Sequence, residues 1–545
     1  MSLGKKESFV KGTLILAAAA LVARVLGLVQ RVPLQHMLGD VGNASFTISN
    51  NIYLMLLTVA TAGIPSTLSK MVSERYALEK PHEAQRIYHA ALIFSAVIGV
   101  IMTVLLYVWA PYYARSTKTP EAAFAIRTLA PALLLFPTIA MMRGYFQGRN
   151  NMMAGGISQI VEQIARVGTA IVLAYVLLRT GFDDSTIAAG ASFGGVLGSI
   201  GAFGVMLYFT LKMRKQDRAL HLQEGQGSSI PMLQIYKDIF TLSIPIVLTS
   251  LAVPAVNFID SSIIKGLLID QSGDAYATQV LAIMGSRAQP VAGIPPILAI
   301  ALSTSLIPII SAAFARRDQV YLKQQITLAM RIAILTGMPM VIALCAASYS
   351  VNGAIFTDTA GSGIIMLLTL GTIFQITMMT SNSILLGVSK AKVSMVHVMV
   401  GILVKLAASY ILAPFFGVYG IIAATGLCFL VITLLNVRLL KVIVPFSILG
   451  TRWISFLITV IVSGGVGYGL NQAGIQLVHV MPARLAYLIT CFIVGVVVVI
   501  IYLVMLIVLG VLREQELASY PRMLQKVFKP LMRLQPKRIR NYDKG

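Results

Sequence analysis

Apolar stretches of about 20 residues or more recur along the whole chain, and each is long enough to cross a lipid bilayer as an α-helix. Of the 545 residues, 57% are hydrophobic and 12% are charged, whereas an ordinary soluble domain carries about 25% charged residues. The mean hydropathy is +0.83. The chain is therefore predicted to be an all-α polytopic membrane protein, which excludes a soluble enzyme, a coiled coil, a secreted disulfide scaffold and a disordered tail protein.

Hydropathy divides the chain into fourteen predicted membrane spans. Their even number places both termini on the same side of the membrane. The predicted spans cover residues 12–38, 46–70, 87–112, 126–147, 155–179, 185–211, 237–266, 276–314, 324–351, 363–387, 392–413, 418–440, 453–475 and 483–511.

The formal net charge of +23 comes from 43 lysines and arginines against 20 aspartates and glutamates. With the predicted spans in place, 31 basic residues, among them Arg143, fall on the face that carries the termini, and six fall on the opposite face. Because lysine and arginine collect on cytoplasmic loops, the chain is predicted to be a multi-pass protein of the cell membrane with both termini in the cytoplasm. The positive charge thus indicates orientation in a membrane and does not indicate nucleic-acid binding.

A hydrophilic stretch at about 212–236 separates six predicted spans from eight, and faint repeats lie on either side of it. Arg166 in span 5, for example, aligns with Lys405 in span 11. We therefore predict two pseudo-symmetric six-helix lobes followed by two C-terminal helices, a plan related to that of many transporters. The predicted units are an N-terminal lobe with its linker at 1–236, a C-terminal lobe at 237–442, spans 13 and 14 at 443–511, and a tail at 512–545.

Eight charged residues lie deep within predicted spans, where a charge costs at least about 2.5–3.5 kcal/mol. Such residues usually face the interior of a helix bundle or a water-filled cavity, so they are the first candidates for function. Six are basic and two are acidic, which favours an anionic cargo. They are Arg24, Arg31, Arg166, Arg287, Arg331, Lys405, Glu162 and Asp260.

Arg24 and Arg31 share one face of the first span because they are seven residues apart. We predict that Arg24 lines a cavity, where a planar guanidinium suits phosphate recognition, while Arg31 either joins it or extends toward the membrane interface. Glu162 and Arg166 are four residues apart in span 5, a spacing that allows an ion pair along the helix. That pair is either structural or part of a hydrophilic cavity wall that opens when substrate binds.

Asp260 and Asn257 form a polar group in span 7. The carboxylate either binds a cation or a proton, or it forms a salt bridge with a basic residue such as Lys405. Both interpretations stay open, and in either case these residues are candidates for a coupling switch.

Arg287 begins an unusual segment of span 8, which contains Pro290, Pro295 and Pro296. Proline removes a backbone donor and kinks a helix. Inside a membrane such breaks are tolerated where the backbone lines a cavity or packs on protein. We predict that this broken helix is a hinge or a binding element.

Basic residues recur at helical spacing in the C-terminal tail with apolar residues between them, which is typical of an amphipathic helix on an anionic leaflet. The sequence contains no Gly-x-x-x-x-Gly-Lys-Ser/Thr nucleotide-binding loop, and its three cysteines match no metal site. We therefore expect membrane lipids as partners, and no nucleotide, nucleic acid, metal or cofactor.

Five segments carry a resemblance to a known family. They are Lys11-Gly-Thr-Leu-Ile-Leu, Ala23-Arg-Val-Leu-Gly27, Ala62-Gly-Ile-Pro-Ser-Thr-Leu-Ser-Lys70, Arg143-Gly-Tyr-Phe-Gln-Gly148 and Ile157-Ser-Gln-Ile-Val-Glu-Gln-Ile-Ala-Arg166. Nearly the whole chain resembles the polysaccharide-biosynthesis branch of the multidrug/oligosaccharidyl-lipid/polysaccharide (MOP) exporter superfamily. Within that branch it is most similar to the MurJ-type lipid II flippases and the proteins like stage V sporulation protein B.

The resemblance implies a two-lobe transporter that alternates between inward-open and outward-open states and carries an undecaprenyl-pyrophosphate-linked disaccharide-pentapeptide. Family arginines in spans 1 and 8 are thought to hold the pyrophosphate, and Arg24 and Arg287 match those positions. Some members bind sodium through acids and amides in spans 7 and 11. Here Asp260 fits span 7, but span 11 offers Lys405 and no acid, so we expect transport that does not depend on sodium.

The sequence is also compatible with other functions. Another lipid-linked polysaccharide unit is a possible cargo, and a multidrug/cation antiporter of the same superfamily would need an acidic cavity, which the deep charges disfavour. A polytopic membrane enzyme would need an acidic or metal-binding cluster at a membrane face, and Asp183-Asp184 is the one Asp-Asp pair in the chain. We expect a transporter that is not an enzyme and that works as a monomer.

Overall fold

The computed structural model of the chain describes residues 22–23, 25–27, 29–149, 151–219, 231–297, 309–356, 358–513, 530 and 532–535. Throughout these ranges the secondary structure is helical, and they contain no β-strand. Helices satisfy their own backbone hydrogen bonds, which is what a chain in lipid requires. The predicted all-α polytopic fold is therefore confirmed.

Long α-helices follow one another with short connections. The α-helices are α1 (Asp40–Thr61), α2 (Ile64–Ala77), α3 (Pro81–Ser116), α4 (Ala122–Leu129), α5 (Ala132–Gly148), α6 (Met152–Arg179), α7 (Asp184–Ala219), α8 (Met232–Ser250), α9 (Ala252–Ser272), α10 (Asp274–Ile283), α11 (Gln289–Ala292), α12 (Gln319–Ala346), α13 (Ser348–Phe356), α14 (Ser362–Gly387), α15 (Ala391–Phe416), α16 (Val418–Ile443), α17 (Trp453–Ile475) and α18 (Ala483–Val508). A π-helical turn, Met284–Ala288, joins α10 to α11. Residues 29–37 are also helical.

Within the described ranges, twelve helical segments are long and apolar enough to cross a membrane. They correspond to twelve of the predicted spans. The other two predicted spans, 12–38 and 276–314, include residues outside the described ranges, and the second is also broken into short helices. The total of fourteen therefore stays a prediction. So does the amphipathic tail helix, which lies mostly outside the described residues.

Several predicted spans divide into shorter helices close to a proline, and spans 4 and 7 are two examples. In span 4, α4 ends at Leu129 and α5 begins after Pro131. In span 7, the chain divides at Leu251 into α8 and α9, three residues before Pro254. A proline lacks the N–H that would bond the carbonyl four residues earlier, and its ring clashes with that carbonyl, so one continuous helix is disfavoured there.

The chain forms two compact units, Met1–Ser286 and Arg287–Gly545. The first unit contains α1 to α10 and the second contains α11 to α18. The boundary between them falls inside the π-helical turn, whereas the predicted lobes divide at 236/237. Compactness does not test internal symmetry, so the two six-helix lobes stay a prediction.

Glycines at four-residue spacing along α7 allow this helix to approach α6 closely. A β-carbon at Gly194 would lie 2.5 Å from the backbone oxygen of Arg166, and one at Gly198 would lie 2.9 Å from that of Glu162. Helix α7 thus supports the turn of α6 that carries both predicted site residues.

Candidate functional site

The first half of α1 is polar although the helix belongs to a membrane span. Its hydroxyl and amide side chains are buried within the first unit, and they are Asn43, Ser45, Thr47, Ser49, Asn50 and Asn51. Ser49 Oγ lies 3.2 Å from Ser192 Oγ of α7, and Asn51 Nδ2 donates to the backbone carbonyl of Asn257 in α9 at 3.3 Å. Ser49 and Asn51 therefore connect α1 to neighbouring helices by hydrogen bonds that replace those lost to water.

Arg166 of α6 extends toward this polar part of α1. Its Nη2 donates to Asn50 Oδ1 at 3.1 Å, and its guanidinium carbon lies 5.4 Å from the ring centre of Tyr53. Both partners are buried. The hydrogen bond and the cation–π contact stabilise a charge that lipid would not tolerate. Arg166 is therefore directed toward other protein groups of the first unit and away from lipid.

The predicted ion pair between Glu162 and Arg166 is wrong. Glu162 Oε2 instead accepts a hydrogen bond from Nη2 of Arg143 in α5 at 2.8 Å. The same Arg143 nitrogen donates to Ser158 Oγ at 2.9 Å. Glu162 is 5% exposed. A pair between two packed helices forms in a low dielectric, where a charge-assisted hydrogen bond is stronger than one along the surface of a single helix.

Arg31 lies in the same part of the first unit. Its guanidinium carbon is 4.9 Å from the ring centre of Phe46, which lies on α1 as do the two partners of Arg166. We name Arg31, Arg143, Arg166 and Glu162 the arginine cluster. Three guanidinium groups against one carboxylate leave an excess of two positive charges, and such an excess attracts anions.

Arg24 is the one predicted phosphate ligand that lies outside the described residues. It precedes Arg31 by seven residues in the predicted first span. Its role therefore stays a prediction, which rests on its depth in the sequence and on the family resemblance.

Asp260 and Lys405 are both buried, with 1% and 0% of their surface exposed. Asp260 lies on α9 in the first unit. Lys405 lies on α15 in the second unit, where its Nζ donates to the backbone carbonyl of Ile421 in α16 at 2.8 Å. That bond contributes to stabilising a buried ammonium group. The predicted Asp260–Lys405 switch stays a prediction because its two members belong to different units.

The helix break predicted around the prolines is present. Arg287 lies in the π-helical turn, and Pro290 lies in the four-residue helix α11 that follows. Pro295 lies in the turn that follows α11, and residues 296–297 are helical again. Single π-helical turns are rare and occur frequently at functional sites. The predicted hinge movement of this segment stays a prediction.

Arg287 makes an ion pair that no sequence pattern indicated. Its Nη1 lies 2.7 Å from Oδ2 of Asp358, a residue in the loop between α13 and α14. Partial desolvation raises the pKa of Asp358, but the Ala360 N–H and the Arg287 guanidinium outweigh it, so the pKa lies below its usual value. The carboxylate therefore stays ionised at neutral pH and pairs with Arg287.

Sequence reasoning thus misses two site residues, Arg143 and Asp358. The charge pattern counts Arg143 among the basic residues of the cytoplasmic face, whereas the structure pairs it with Glu162 between two helices of the first unit. A usable signal existed, since the deep acid Glu162 needs a basic partner and Arg143 begins a family motif. Asp358 follows Arg287 by 71 residues, and no spacing rule connects them.

The fold defines a class of transporters. A multidrug resistance MATE family transporter of the MOP superfamily, solved in an inward-facing conformation, matches with a TM-score of 0.61 and 15% identity over 77% of this chain and 94% of that chain. A MOP superfamily transporter from Pyrococcus furiosus matches with a TM-score of 0.58 and 15% identity, over 81% of this chain and 99% of that one. The chain therefore has the fold of a MOP-superfamily transporter.

Sequence comparison then gives the family. Residues 9–314 match the profile of the polysaccharide biosynthesis protein family, and the chain belongs to that family. Lipid II flippase MurJ of Bacillus subtilis is 26% identical over 450 residues, which is 80% of this chain and 83% of the relative. Stage V sporulation protein B of the same organism is 24% identical over 535 residues, 95% of this chain and 98% of the relative. The predicted resemblance is confirmed.

Proposed function

We propose that the chain is an alternating-access flippase that moves a polyprenyl-pyrophosphate-linked glycan from the inner to the outer leaflet of the cytoplasmic membrane. The proposed cargo is the peptidoglycan precursor lipid II, and another lipid-linked polysaccharide unit is the alternative within the family. In this proposal the protein works as a monomer, both termini lie in the cytoplasm, and the basic tail rests on the anionic leaflet.

The excess positive charge of the arginine cluster is the observation that carries this proposal. A pyrophosphate diester carries about two negative charges at neutral pH, which the excess of two guanidinium charges complements. Guanidinium groups bind phosphate oxygens through paired N–H donors. The cluster lies among membrane-spanning helices, where an uncompensated positive charge is costly, so an anionic cargo explains why these arginines are present.

In the same proposal, Arg24 and Arg287 hold the pyrophosphate directly. Both match family positions assigned to that role, and both come from the deep basic residues of the sequence. The bond from Arg287 to a carboxylate supports the assignment, because a guanidinium that accommodates one oxyanion suits another.

A multidrug/cation antiporter is the competing function, since MATE transporters share the fold. A cationic cargo needs a negative site, and the arginine cluster has the opposite sign. Binding to the purified full chain separates the two functions, with undecaprenyl pyrophosphate as the anionic probe and tetraphenylphosphonium as the cationic probe.

We expect undecaprenyl pyrophosphate to bind and tetraphenylphosphonium to bind weakly or not at all. Arg166→Gln should weaken binding of the anionic probe about tenfold, the effect of losing one hydrogen bond from a charged group. Arg179→Gln, at the exposed end of the same helix, is the matched control and should bind as the wild type does. Tight binding of the cation together with no binding of the pyrophosphate lipid would contradict the proposal.

A further inference from the structure

The loop between α13 and α14 is built around the carboxylate of Asp358. Asp358 Oδ1 accepts from the Ala360 N–H at 2.9 Å, and Asn352 Nδ2 of α13 donates to the Ala360 carbonyl at 2.8 Å. Asn352 Nδ2 also lies 3.1 Å from Ser362 Oγ, which donates to the Thr359 carbonyl at 2.6 Å. These bonds fix the backbone on both sides of the carboxylate, so the loop holds this acid in a defined position.

The other oxygen of that carboxylate, Oδ2, accepts the 2.7 Å hydrogen bond from Arg287. The guanidinium carbon also lies 6.0 Å from the ring centre of Phe356, and Nη1 lies 3.4 Å from the Ala360 carbonyl. The Arg287 side chain is 9% exposed, whereas the Asp358 side chain is 49% exposed. The acid is therefore the member of the pair that water can solvate when the pair opens.

We propose that Asp358 is an internal anion that competes with the pyrophosphate of the cargo for Arg287 and so promotes release of the cargo. This inference rests on the proposed function, in which Arg287 holds the pyrophosphate. It assigns a role to Asp358, which the family resemblance does not. It also explains how a tightly bound pyrophosphate can leave Arg287.

The competition follows from the chemistry of the pair. In the structure Nη1 donates to Asp358 Oδ2 and to the Ala360 carbonyl, so a phosphate that accepts from the same N–H groups would displace the carboxylate. Two anions beside one guanidinium would also repel each other. A buried arginine without an anionic partner would be costly, and Asp358 removes that cost when the pyrophosphate leaves. In the predicted topology this loop follows span 9 and lies on the external side, where the cargo is delivered.

Asp358→Asn tests the inference, because asparagine keeps the oxygen that accepts from the Ala360 N–H and removes the negative charge. For the purified full chain we expect the Kd for undecaprenyl pyrophosphate to fall about two- to fivefold, the scale of a partly exposed ion pair. We also expect a lower maximal rate of lipid II flipping, because release slows. Asp270→Asn, at the exposed end of α9, is the matched control and should change neither quantity.

Together with Asp358→Asn, the variant Arg287→Gln and the double variant Arg287→Gln/Asp358→Asn form a double-mutant cycle. Arg287→Gln should weaken binding, and in its presence Asp358→Asn should no longer alter the Kd. If Asp358→Asn leaves the Kd unchanged or raises it while Arg287→Gln weakens binding, competition is refuted and the role of Arg287 stands. If the wild type does not bind undecaprenyl pyrophosphate, or binds it equally well without Arg287, the proposed role of Arg287 fails and this inference fails with it.

Asp358→Glu provides a second test should the asparagine variant not reach the membrane. It keeps the negative charge, so its Kd and flipping rate should stay within about twofold of the wild type. A glutamate variant that binds undecaprenyl pyrophosphate severalfold more tightly would overturn the inference, because the competing charge is still present.

Discussion

Replacing Arg24 or Arg287 by alanine is expected to abolish rescue of bacteria depleted of their own lipid II flippase, while the amount of protein in the membrane stays normal. Each change removes charged hydrogen-bond donors from the proposed pyrophosphate site. One such bond contributes about 1.5–3 kcal/mol, so affinity for the cargo should fall about 10- to 100-fold. Growth under depletion measures rescue, and immunoblotting of membranes measures the amount of protein.

Three control variants make this result specific. Arg179→Ala, at the exposed end of α6, should rescue growth fully. Arg24→Lys and Arg287→Lys keep the positive charge but lose the planar guanidinium that binds phosphate through two N–H groups, so partial rescue is expected. Full growth with both arginines replaced by alanine would refute the assignment of the phosphate site.

Collapse of the membrane potential is expected to stop transport, and removal of sodium is expected to leave it unchanged. Moving one charge through the membrane potential is worth about 2.3 kcal/mol per 100 mV. The proposed cargo is anionic and the bacterial cytoplasm is negative, so the potential favours export. Lys405 supplies a buried ammonium in span 11, where sodium-binding relatives are thought to use an acid, which is why no sodium dependence is expected.

The two driving forces can be separated in cells or in right-side-out vesicles. Replacing sodium by choline at constant potential tests the ion, and a potassium ionophore with high external potassium collapses the potential at constant sodium. The measured quantity is the appearance of the lipid-linked precursor at the outer surface. A sharp loss of flipping on sodium removal at constant potential would contradict this prediction and would make Asp260 the candidate sodium ligand.

The sequence predicts features that depend on neighbouring residues along the chain. The apolar spans follow from hydropathy, and the broken segment after Arg287 follows from its prolines. Each of these has a local physical cause. Such features can therefore be predicted before any contact between helices is known.

The site residues depend on which helices face each other, and one sequence does not contain that information in its spacing. Glu162 could pair along its own helix with Arg166, yet it pairs with Arg143 of α5. Arg287 could be recognised by its depth, but its partner Asp358 lies in a short polar loop that resembles any other. Sequence spacing shows which ion pairs are sterically allowed along one helix, whereas the packing of different helices decides which ion pairs form.

The central proposal is tested most directly by measuring lipid II at the outer surface of cells in which this chain replaces the resident flippases. Cells that depend on this chain alone should keep presenting the precursor at the outer surface, and presentation should stop within a few generations once the chain is depleted. Arg24→Ala should give the same loss as depletion. If the precursor continues to reach the surface at an unchanged rate after depletion, with no other flippase present, lipid II is not the cargo of this protein.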